Sequence, residues 1–213
     1  MWPEILAFDF DGVLVDSVGV KAQAFGATVA AYPAPCVEQF LAFHYANGGV
    51  DRYAKFRHFL TNIAQEPATE ERVDALAAKF AAHTRAAVTA APEIAGASTL
   101  LAAVPATTLV TVLSATPDAE LKDIINGRGW TAHFAEVLGC STSKSEALVR
   151  WSVVHANRRR RLYIGDALSD FTAARSAGWD FIGVSDSSGK HPFPPQIPVV
   201  PDMHALISHL SGG

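Results

Sequence analysis

Two aspartates separated by a single residue lie at the end of the first apolar run of the sequence. The stretch "FDFDGVLVDS" places Asp9 and Asp11 after the run "EILAF". A short apolar run is typical of a strand buried on both faces, and open α/β sheets bind their ligands at the carboxyl ends of such strands. Two carboxylates so close raise each other's pKa unless a cation relieves the repulsion. Taken alone, the stretch fits equally well a turn with two solvated acids.

A second pair of carboxylates follows a later apolar run. In "YIGDALSD", Asp166 ends the run, and Asp170 lies four residues further on, in the first turn of a predicted helix. If both runs are strands of one sheet, the four carboxylates lie at the same edge and repel one another unless they hold a hard cation. The sequence therefore predicts a magnesium site formed by Asp9, Asp11, Asp166 and Asp170. An EF-hand calcium loop fits badly, because "DFDGVLVDSVGV" has its glycine at position four and lacks the terminal glutamate.

A hydroxyl and an ammonium group are predicted near the same edge. Ser114 ends the strand-like run "TTLVTVLS", and Lys144 begins a helix in "GCSTSKSEAL". Each also has an ordinary interpretation, as a turn hydroxyl or a solvated lysine. Facing a site of carboxylates and metal, however, the two groups are suited to bind the oxygens of a phosphoryl group.

The order of predicted elements indicates an α/β fold interrupted by helices. Residues 17–88 contain no convincing strand and fit four helices, at about 17–31, 37–45, 51–63 and 69–89. From about residue 92 onward, strands and helices alternate, which is typical of a parallel sheet covered by helices. In the helix predicted from "TPDAELKDIINGRG", Thr116 is the expected N-cap. We therefore predict an α/β core domain, residues 1–16 and 89–213, and a helical cap domain, residues 17–88, that acts as a lid.

Composition excludes several classes of protein. The chain has 213 residues, 49% hydrophobic and 18% charged, with a net charge of -4, so it can bury a core and has no general attraction for nucleic acid or an anionic membrane. Cys36 and Cys140 indicate neither a disulfide framework nor a zinc site. No signal peptide or membrane-spanning run is evident, which predicts a soluble, cytoplasmic protein. The run "RRRR" fits a phosphate-binding patch or, more simply, a solvated turn.

The ordered set of motifs resembles the haloacid dehalogenase superfamily of phosphohydrolases over nearly the whole chain. Four signatures match: "DFDGVLVDS" for DxDGx(L/V)xDS, "LVTVLSATPDAEL" for a strand ending in Ser or Thr, Lys144 for the lysine, and "GDALSD" for GDxxxD. The serine and the lysine are weak signals singly, whereas the ordered set is specific. The helical segment resembles the cap of the phosphoglycolate-phosphatase-like and β-phosphoglucomutase-like branch. The resemblance implies a Rossmann-like parallel-sheet core with an inserted all-helical cap.

The resemblance also implies a role for each residue of the motifs. Asp9 would attack phosphorus and form an aspartyl-phosphate, and Asp11 would act as general acid and base. Mg²⁺ would be held by Asp9, the main-chain carbonyl of Asp11, Asp166 and, directly or through water, Asp170. Ser114 and Lys144 would bind the transferring phosphoryl group. Because Asp11 is present, halide displacement is disfavoured, and phosphonate cleavage is disfavoured because that branch uses another first motif.

The cap contributes candidate substrate ligands. The stretch "GGVDR" resembles the GVSR substrate loop of β-phosphoglucomutases, whose arginine contacts a distal phosphate. The candidates for substrate binding are Gly49, Arg52 and Lys55 in the cap and Ala115 in the core domain. The alternative is a helix start with exposed charges. Lys21 stands twelve residues after Asp9, where the mutases have a histidine.

The predicted function is magnesium-dependent hydrolysis of a small phosphorylated metabolite. A sugar-phosphate mutase and a non-catalytic phosphate-binding protein remain as alternatives. The predicted assembly is a monomer or a homodimer, with neither nucleic acid nor a membrane as a partner.

Overall fold

Six parallel strands form the central sheet of the protein, whose computed structural model describes residues 1–212. The strands are β1 (Ile5–Asp9), β2 (Leu109–Leu113), β3 (Glu136–Leu138), β4 (Arg161–Gly165), β5 (Asp180–Val184) and β6 (Val199–Val200). Their order across the sheet is β3-β2-β1-β4-β5-β6. This is the order of a doubly wound, Rossmann-like sheet, so the predicted α/β fold class is confirmed.

Helices cover both faces of the sheet. Side chains of β1 alternate between the faces, because successive residues of a strand point in opposite directions. Leu6 and Phe8 pack in one hydrophobic cluster, with α5 (Ala97–Ala103), α6 (Asp118–Gly127) and α9 (Met203–Ser211), whereas Ile5 and Ala7 pack in another, with α7 (Lys144–Val154) and α8 (Leu168–Ala177). Burial on both faces is the reason why β1 reads as a continuous apolar run.

The segment between β1 and α5 is helical. Its helices are α1 (Val18–Thr28), α2 (Ala34–Ala46), α3 (Arg52–His58), which continues as a π-helical turn (Phe59–Ile63), and α4 (Glu70–Ala90). Two begin at side-chain N-caps: Asp51 accepts from the Ala54 N–H at 2.9 Å, and Thr69 from the Arg72 N–H at 3.4 Å. The helices share an aromatic cluster of their own that includes Phe25, Phe40, Phe56, Phe59 and Phe80. This separate cluster is consistent with the predicted cap, whose boundaries stay a prediction.

The start of α6 differs from the sequence-based expectation. The helix begins at Asp118, and its N-cap position is Pro117, which has no side-chain hydroxyl. The prediction that Thr116 is the N-cap is therefore wrong. The Thr116 hydroxyl is instead a neighbour of Asp11 and accepts a hydrogen bond from Lys21 at 2.8 Å. A long-range polar contact has replaced the local cap.

The arginine run leads into β4, whose first residue is Arg161. Arg158 donates hydrogen bonds to the main-chain carbonyls of Glu4 and Thr107 at 2.9 and 2.6 Å. The main-chain N–H groups of Arg159 and Arg160 donate to the carboxylate of Glu4. The run therefore attaches the start of β4 to the start of β1, far from the carboxyl ends of the strands. Among residues 1–212, no helix is long and apolar enough to cross a membrane.

Candidate active site

The predicted site residues lie at the carboxyl edge of the sheet. Asp9 is the last residue of β1, Ser114 follows β2, Asp166 follows β4, and Lys144 is the first residue of α7. Because β1 and β4 are neighbours at the point where the strand order reverses, the two pairs of carboxylates converge there.

Lys144 holds two of these carboxylates together. Its Nζ lies 2.9 Å from Oδ2 of Asp9 and 2.5 Å from Oδ1 of Asp170. The hydroxyl of Tyr163 donates to Asp170 at 2.9 Å, and the Ala167 N–H donates to it at 3.1 Å, so this fully buried carboxylate has several partners. Burial alone lowers the pKa of Lys144, but the charges of Asp170 and Asp9 outweigh it and raise the pKa above its ordinary value. Lys144 is therefore a permanent cation at neutral pH.

The surroundings of Asp9 and Asp166 destabilise the charged form of each carboxyl group. Burial raises the pKa of Asp9 to about 7, although the charge of Lys144 opposes the shift. Burial, together with the charges of Asp9 and Asp170, raises the pKa of Asp166 well above its ordinary value. In the described part of the chain, Asp166 accepts no hydrogen bond and forms no ion pair. The free energy of both carboxylates would fall if a further positive charge were present.

The acidic cluster fits a divalent metal ion. Asp9, Asp166 and Asp170 each offer a carboxylate oxygen, and these oxygens lie within 4.8 Å of one another. The three negative charges of these carboxylates and the one positive charge of Lys144 leave a net charge of -2, and an all-oxygen donor set suits Mg²⁺. The side chain of Asp11 does not belong to this group, so only its main-chain carbonyl remains available, as the resemblance implies.

Gly12 allows the loop after β1 to pass close to Asp166. Its φ angle is +75°, in the left-handed region, and a Cβ atom there would lie 2.3 Å from Oδ2 of Asp166. Any other residue would be strained and would displace the carboxylate. The glycine of the first motif therefore has a structural role in the site.

Asp11 lies in different electrostatic surroundings from Asp9. Nζ of Lys21 lies 2.6 Å from its Oδ2, and the hydroxyl of Ser17 donates to its Oδ1 at 2.5 Å. The hydroxyl of Ser114 donates to Oδ2 at 3.3 Å. Burial alone raises the pKa of Asp11, but the charge and hydrogen bond of Lys21 outweigh it and hold the pKa below its ordinary value. Asp11 is therefore a carboxylate at neutral pH.

A small cavity of about 80 Å³ lies between the strand ends and the helices of the insertion. The predicted substrate ligands Gly49, Arg52, Lys55 and Ala115 all line it. Its further lining residues, which the sequence did not single out as ligands, include Lys21, Phe25, His44, Gly48, Val50 and Phe80. A larger cleft of about 610 Å³ lies at the opposite edge, where the strands begin, away from all four carboxylates.

The basic residues of α3 face inward. The side chain of Arg52 is 5% exposed; it pairs with Glu120 of α6 at 2.8 Å, and its guanidinium lies over the ring of Phe80. Lys55 is 3% exposed, and its Nζ lies 2.9 Å from Nδ1 of His44. The alternative of a helix start with exposed charges is therefore wrong for both residues.

The loop before α3 packs tightly on the core. The hydroxyl of Ser169 donates to the carbonyl of Gly48 at 3.0 Å. Gly49 has a φ angle of +74°, and a Cβ atom there would lie 2.2 Å from Oγ of Ser169. Larger residues at Gly49 would separate the loop from the strand ends.

Comparisons with known proteins agree with this arrangement. A family model described as haloacid dehalogenase-like hydrolase matches residues 6–184. The chain belongs to this family. No curated protein sequence matches significantly. The haloacid dehalogenase-like match covers the helical insertion and the sheet from β1 to β5, and it makes the protein a hydrolase by family.

Solved structures similar to this haloacid dehalogenase-like chain share its fold over nearly their whole length. A predicted phosphoglycolate phosphatase from Haemophilus somnus has 16% identity and a TM-score of 0.70, with 97% of each chain covered. CbbY from Rhodobacter sphaeroides, in complex with phosphate, has 18% identity and a TM-score of 0.72, with 96% of each chain covered. A protein assigned as a β-phosphoglucomutase from Thermotoga maritima has 15% identity and a TM-score of 0.65, with 98% of each chain covered.

Three residues near the site escaped the sequence-based prediction of ligands. His44 carries no local signal, because a single histidine on an amphipathic helix is indistinguishable from a core residue. Thr116 fitted a cap, which hid its contact with Asp11. Lys21 did carry a signal, its position twelve residues after Asp9, but the sequence alone does not show that its ammonium reaches Asp11.

Proposed function

We propose that the protein is a magnesium-dependent phosphohydrolase that cleaves a small phosphate monoester through an aspartyl-phosphate at Asp9. The observation that carries the proposal is the contrast between two neighbouring carboxylates. Asp9 lies beside Lys144 and the acidic cluster, whereas Asp11 is held apart by Lys21. Two carboxylates in different surroundings are suited to two roles, one as nucleophile and one as general acid and base.

The proposed reaction has two steps. In the first, a carboxylate oxygen of Asp9 bonds to phosphorus while the ester P–O bond breaks, and the departing oxygen takes a proton from the protonated form of Asp11, the minor form at neutral pH, which the second step regenerates. In the second, Asp11 removes a proton from water, the water oxygen bonds to phosphorus, and the bond to Asp9 breaks. Lys21 favours the carboxylate form of Asp11, which is the form that the second step uses.

Two other groups bind the phosphoryl group in this proposal. Lys144, already 2.9 Å from Asp9, offsets the charge of the phosphoryl oxygens, and the hydroxyl of Ser114 donates a hydrogen bond to them. A bound Mg²⁺, held by Asp9, Asp166, Asp170 and the main-chain carbonyl of Asp11, would supply further positive charge.

Hydrolysis of p-nitrophenyl phosphate tests the proposal. We expect release of phosphate that depends on Mg²⁺, and borohydride trapping of quenched enzyme should modify Asp9, as detected by mass spectrometry. Folded, Mg²⁺-loaded protein that releases no phosphate from aryl, sugar or carboxyalkyl phosphates would support a non-catalytic phosphate-binding protein instead.

A sugar-phosphate mutase is the second candidate. Arg52 lines the cavity, as the resemblance to the mutase loop predicts, and one similar structure is assigned as a β-phosphoglucomutase. Lys21, which replaces the histidine of the mutases, argues against it. Incubation with β-glucose 1-phosphate and a trace of glucose 1,6-bisphosphate separates the candidates, because a mutase forms glucose 6-phosphate and a phosphatase releases phosphate.

The partner and the location follow from weaker observations. A net charge of -4 favours a small phosphorylated metabolite over nucleic acid as the partner. The cytoplasmic location and the monomeric or homodimeric state stay predictions.

Replacing Lys21 by methionine should move the acidic limb of the kcat–pH profile upward by about one pH unit or more. Without the ammonium 2.6 Å away, burial raises the pKa of Asp11, so the carboxylate needed for attack of water forms only at higher pH. We would measure kcat for p-nitrophenyl phosphate, whose good leaving group makes the second step limiting. Lys122→Met, at an exposed position of α6, is the control. An unmoved limb would contradict the assignment of Asp11 as the base.

A further inference from the structure

In the described part of the chain, one of the basic side chains that line the cavity forms no ion pair with a carboxylate. Three basic side chains line it, Lys21, Arg52 and Lys55. Lys21 is paired with Asp11 at 2.6 Å, and Arg52 with Glu120 at 2.8 Å. Within residues 1–212, Lys55 forms no ion pair.

The surroundings of Lys55 destabilise its charged form. Its ammonium donates to Nδ1 of His44 at 2.9 Å and lies 5.3 Å from the centre of the Phe25 ring. Burial lowers the pKa of Lys55 to about 8 and that of His44 to about 3. At neutral pH the lysine is therefore mostly charged and the histidine neutral, with its ring proton on Nε2 because Nδ1 accepts. A buried ammonium without an anion destabilises a fold, and a ligand anion would relieve that cost.

We propose that Lys55 binds an anionic substituent on the leaving group of the substrate, a carboxylate or a second phosphate, and determines specificity for it. His44 positions the ammonium. The assignment rests on the proposed phosphohydrolase function, since it concerns the group that departs from phosphorus.

Lys55 is better suited to this role than Arg52. The guanidinium of Arg52 already has a carboxylate partner, Glu120 of α6, so this pair joins the helical insertion to the core instead of leaving a charge for the substrate. Binding an anion at Arg52 would require breaking a buried pair, whereas Lys55 gains its first anionic partner. The anion is therefore bound by Lys55, one turn further along α3, and not by the arginine of the "GGVDR" loop.

The volume of the cavity limits the size of the leaving group. About 80 Å³ accommodates only a few water-sized groups. A leaving group of two or three carbon atoms with one anionic substituent matches this space, and larger leaving groups require the helical insertion to move away from the strand ends.

The test compares matched phosphate esters with and without a second anion. Phosphoglycolate against ethyl phosphate measures the effect of a carboxylate, and 1,3-propanediol bisphosphate against propyl phosphate measures that of a second phosphate. The readout is the ratio of kcat/KM within each pair. For the wild type, we expect the anionic member to be preferred in at least one pair.

Lys55→Met should abolish that preference. We expect kcat/KM for the preferred anionic ester to fall about tenfold to a hundredfold, mainly through KM, as for the loss of a charge-assisted hydrogen bond. For the matched ester without the second anionic group, we expect kcat/KM to change by less than about twofold. Lys55→Arg should retain part of the preference because it keeps the charge. Lys122→Met is the matched control, and a melting temperature equal to or above that of the wild type shows that the variants fold.

The pH dependence gives an independent readout. The kcat/KM ratio of the preferred pair should fall above about pH 8 in the wild type, as Lys55 loses its proton, and stay constant in Lys55→Arg. Other titratable groups face Lys55: Lys21 on α1, the neutral His44 on α2, Asp51 at the start of α3, and Asp11 and Asp166 at the strand ends. Taking the ratio of two substrates cancels titrations that affect both alike.

Two outcomes would overturn the inference while leaving the phosphohydrolase proposal intact. One is a wild-type enzyme that hydrolyses p-nitrophenyl phosphate but prefers neither anionic ester. The other is a preference that survives in Lys55→Met and disappears in Arg52→Met, which would return the role to the arginine. Absence of hydrolysis of every ester would instead contradict the phosphohydrolase proposal itself.

Discussion

Replacement of Asp9 by asparagine is expected to lower the turnover of p-nitrophenyl phosphate by at least about a thousandfold, the scale seen when other covalent nucleophiles are removed. The amide has no negative charge and is a poor nucleophile, so the aspartyl-phosphate cannot form. The ion pair between Lys144 and Asp9 is lost, whereas that between Lys144 and Asp170 remains. The rate of phosphate release under saturating Mg²⁺ is the measurement.

The Asn variant should fold at least as well as the wild type. Burial raises the pKa of Asp9 to about 7, so at mildly acidic pH the folded state binds more protons than the unfolded state. The contribution of Asp9 to the free energy of unfolding therefore falls as the pH rises toward 7. The neutral amide removes this cost. The melting temperature in the absence of metal should therefore be equal or higher at pH 7.5. Asp180→Asn, at an exposed position, is the control for activity and stability. Near-normal turnover by a folded Asn variant would refute Asp9 as the nucleophile.

Replacement of Asp166 by alanine is expected to raise the Mg²⁺ concentration for half-maximal activity at least about tenfold, as for other changes around metal ligands. In residues 1–212, the carboxylate of Asp166 accepts no hydrogen bond and forms no ion pair, so its removal leaves no donor of the protein without a partner. Its loss also relieves repulsion with Asp9 and Asp170. The effect should therefore appear in metal binding and not in folding.

A thermal measurement separates these two effects. Mg²⁺ should raise the melting temperature of the wild type, because a ligand that binds only the folded state stabilises it. In Asp166→Ala, the same concentration should raise it less, while the melting temperature without metal stays equal or increases. Full wild-type activity in excess chelator would contradict the metal requirement, and an unchanged response of Asp166→Ala to Mg²⁺ would remove Asp166 from the site.

The amino-acid sequence by itself determined the architecture and the acidic part of the site. Asp9 and Asp166 each stand at the end of an apolar run, which is a local property of the chain. In any parallel sheet, residues at the carboxyl ends of the strands lie at the same edge. The alternation of strands and helices and the apolar character of β1 follow from burial on both faces. For this reason, the convergence of the carboxylates could be predicted without knowing any contact.

Only the tertiary structure decided which charges in the cavity have partners. Lys21 and Thr116 are 95 residues apart in the chain, and Arg52 and Glu120 are 68 residues apart. A local pattern suggested a cap at Thr116 and left open whether the basic residues of α3 are exposed, because local patterns carry no information about distant partners. The packing of the helical insertion on the core pairs Arg52 with Glu120 and, among the residues that the structure describes, leaves Lys55 without an ion pair. The charge balance of the cavity, and with it the predicted preference for an anionic leaving group, is therefore a property of the folded chain.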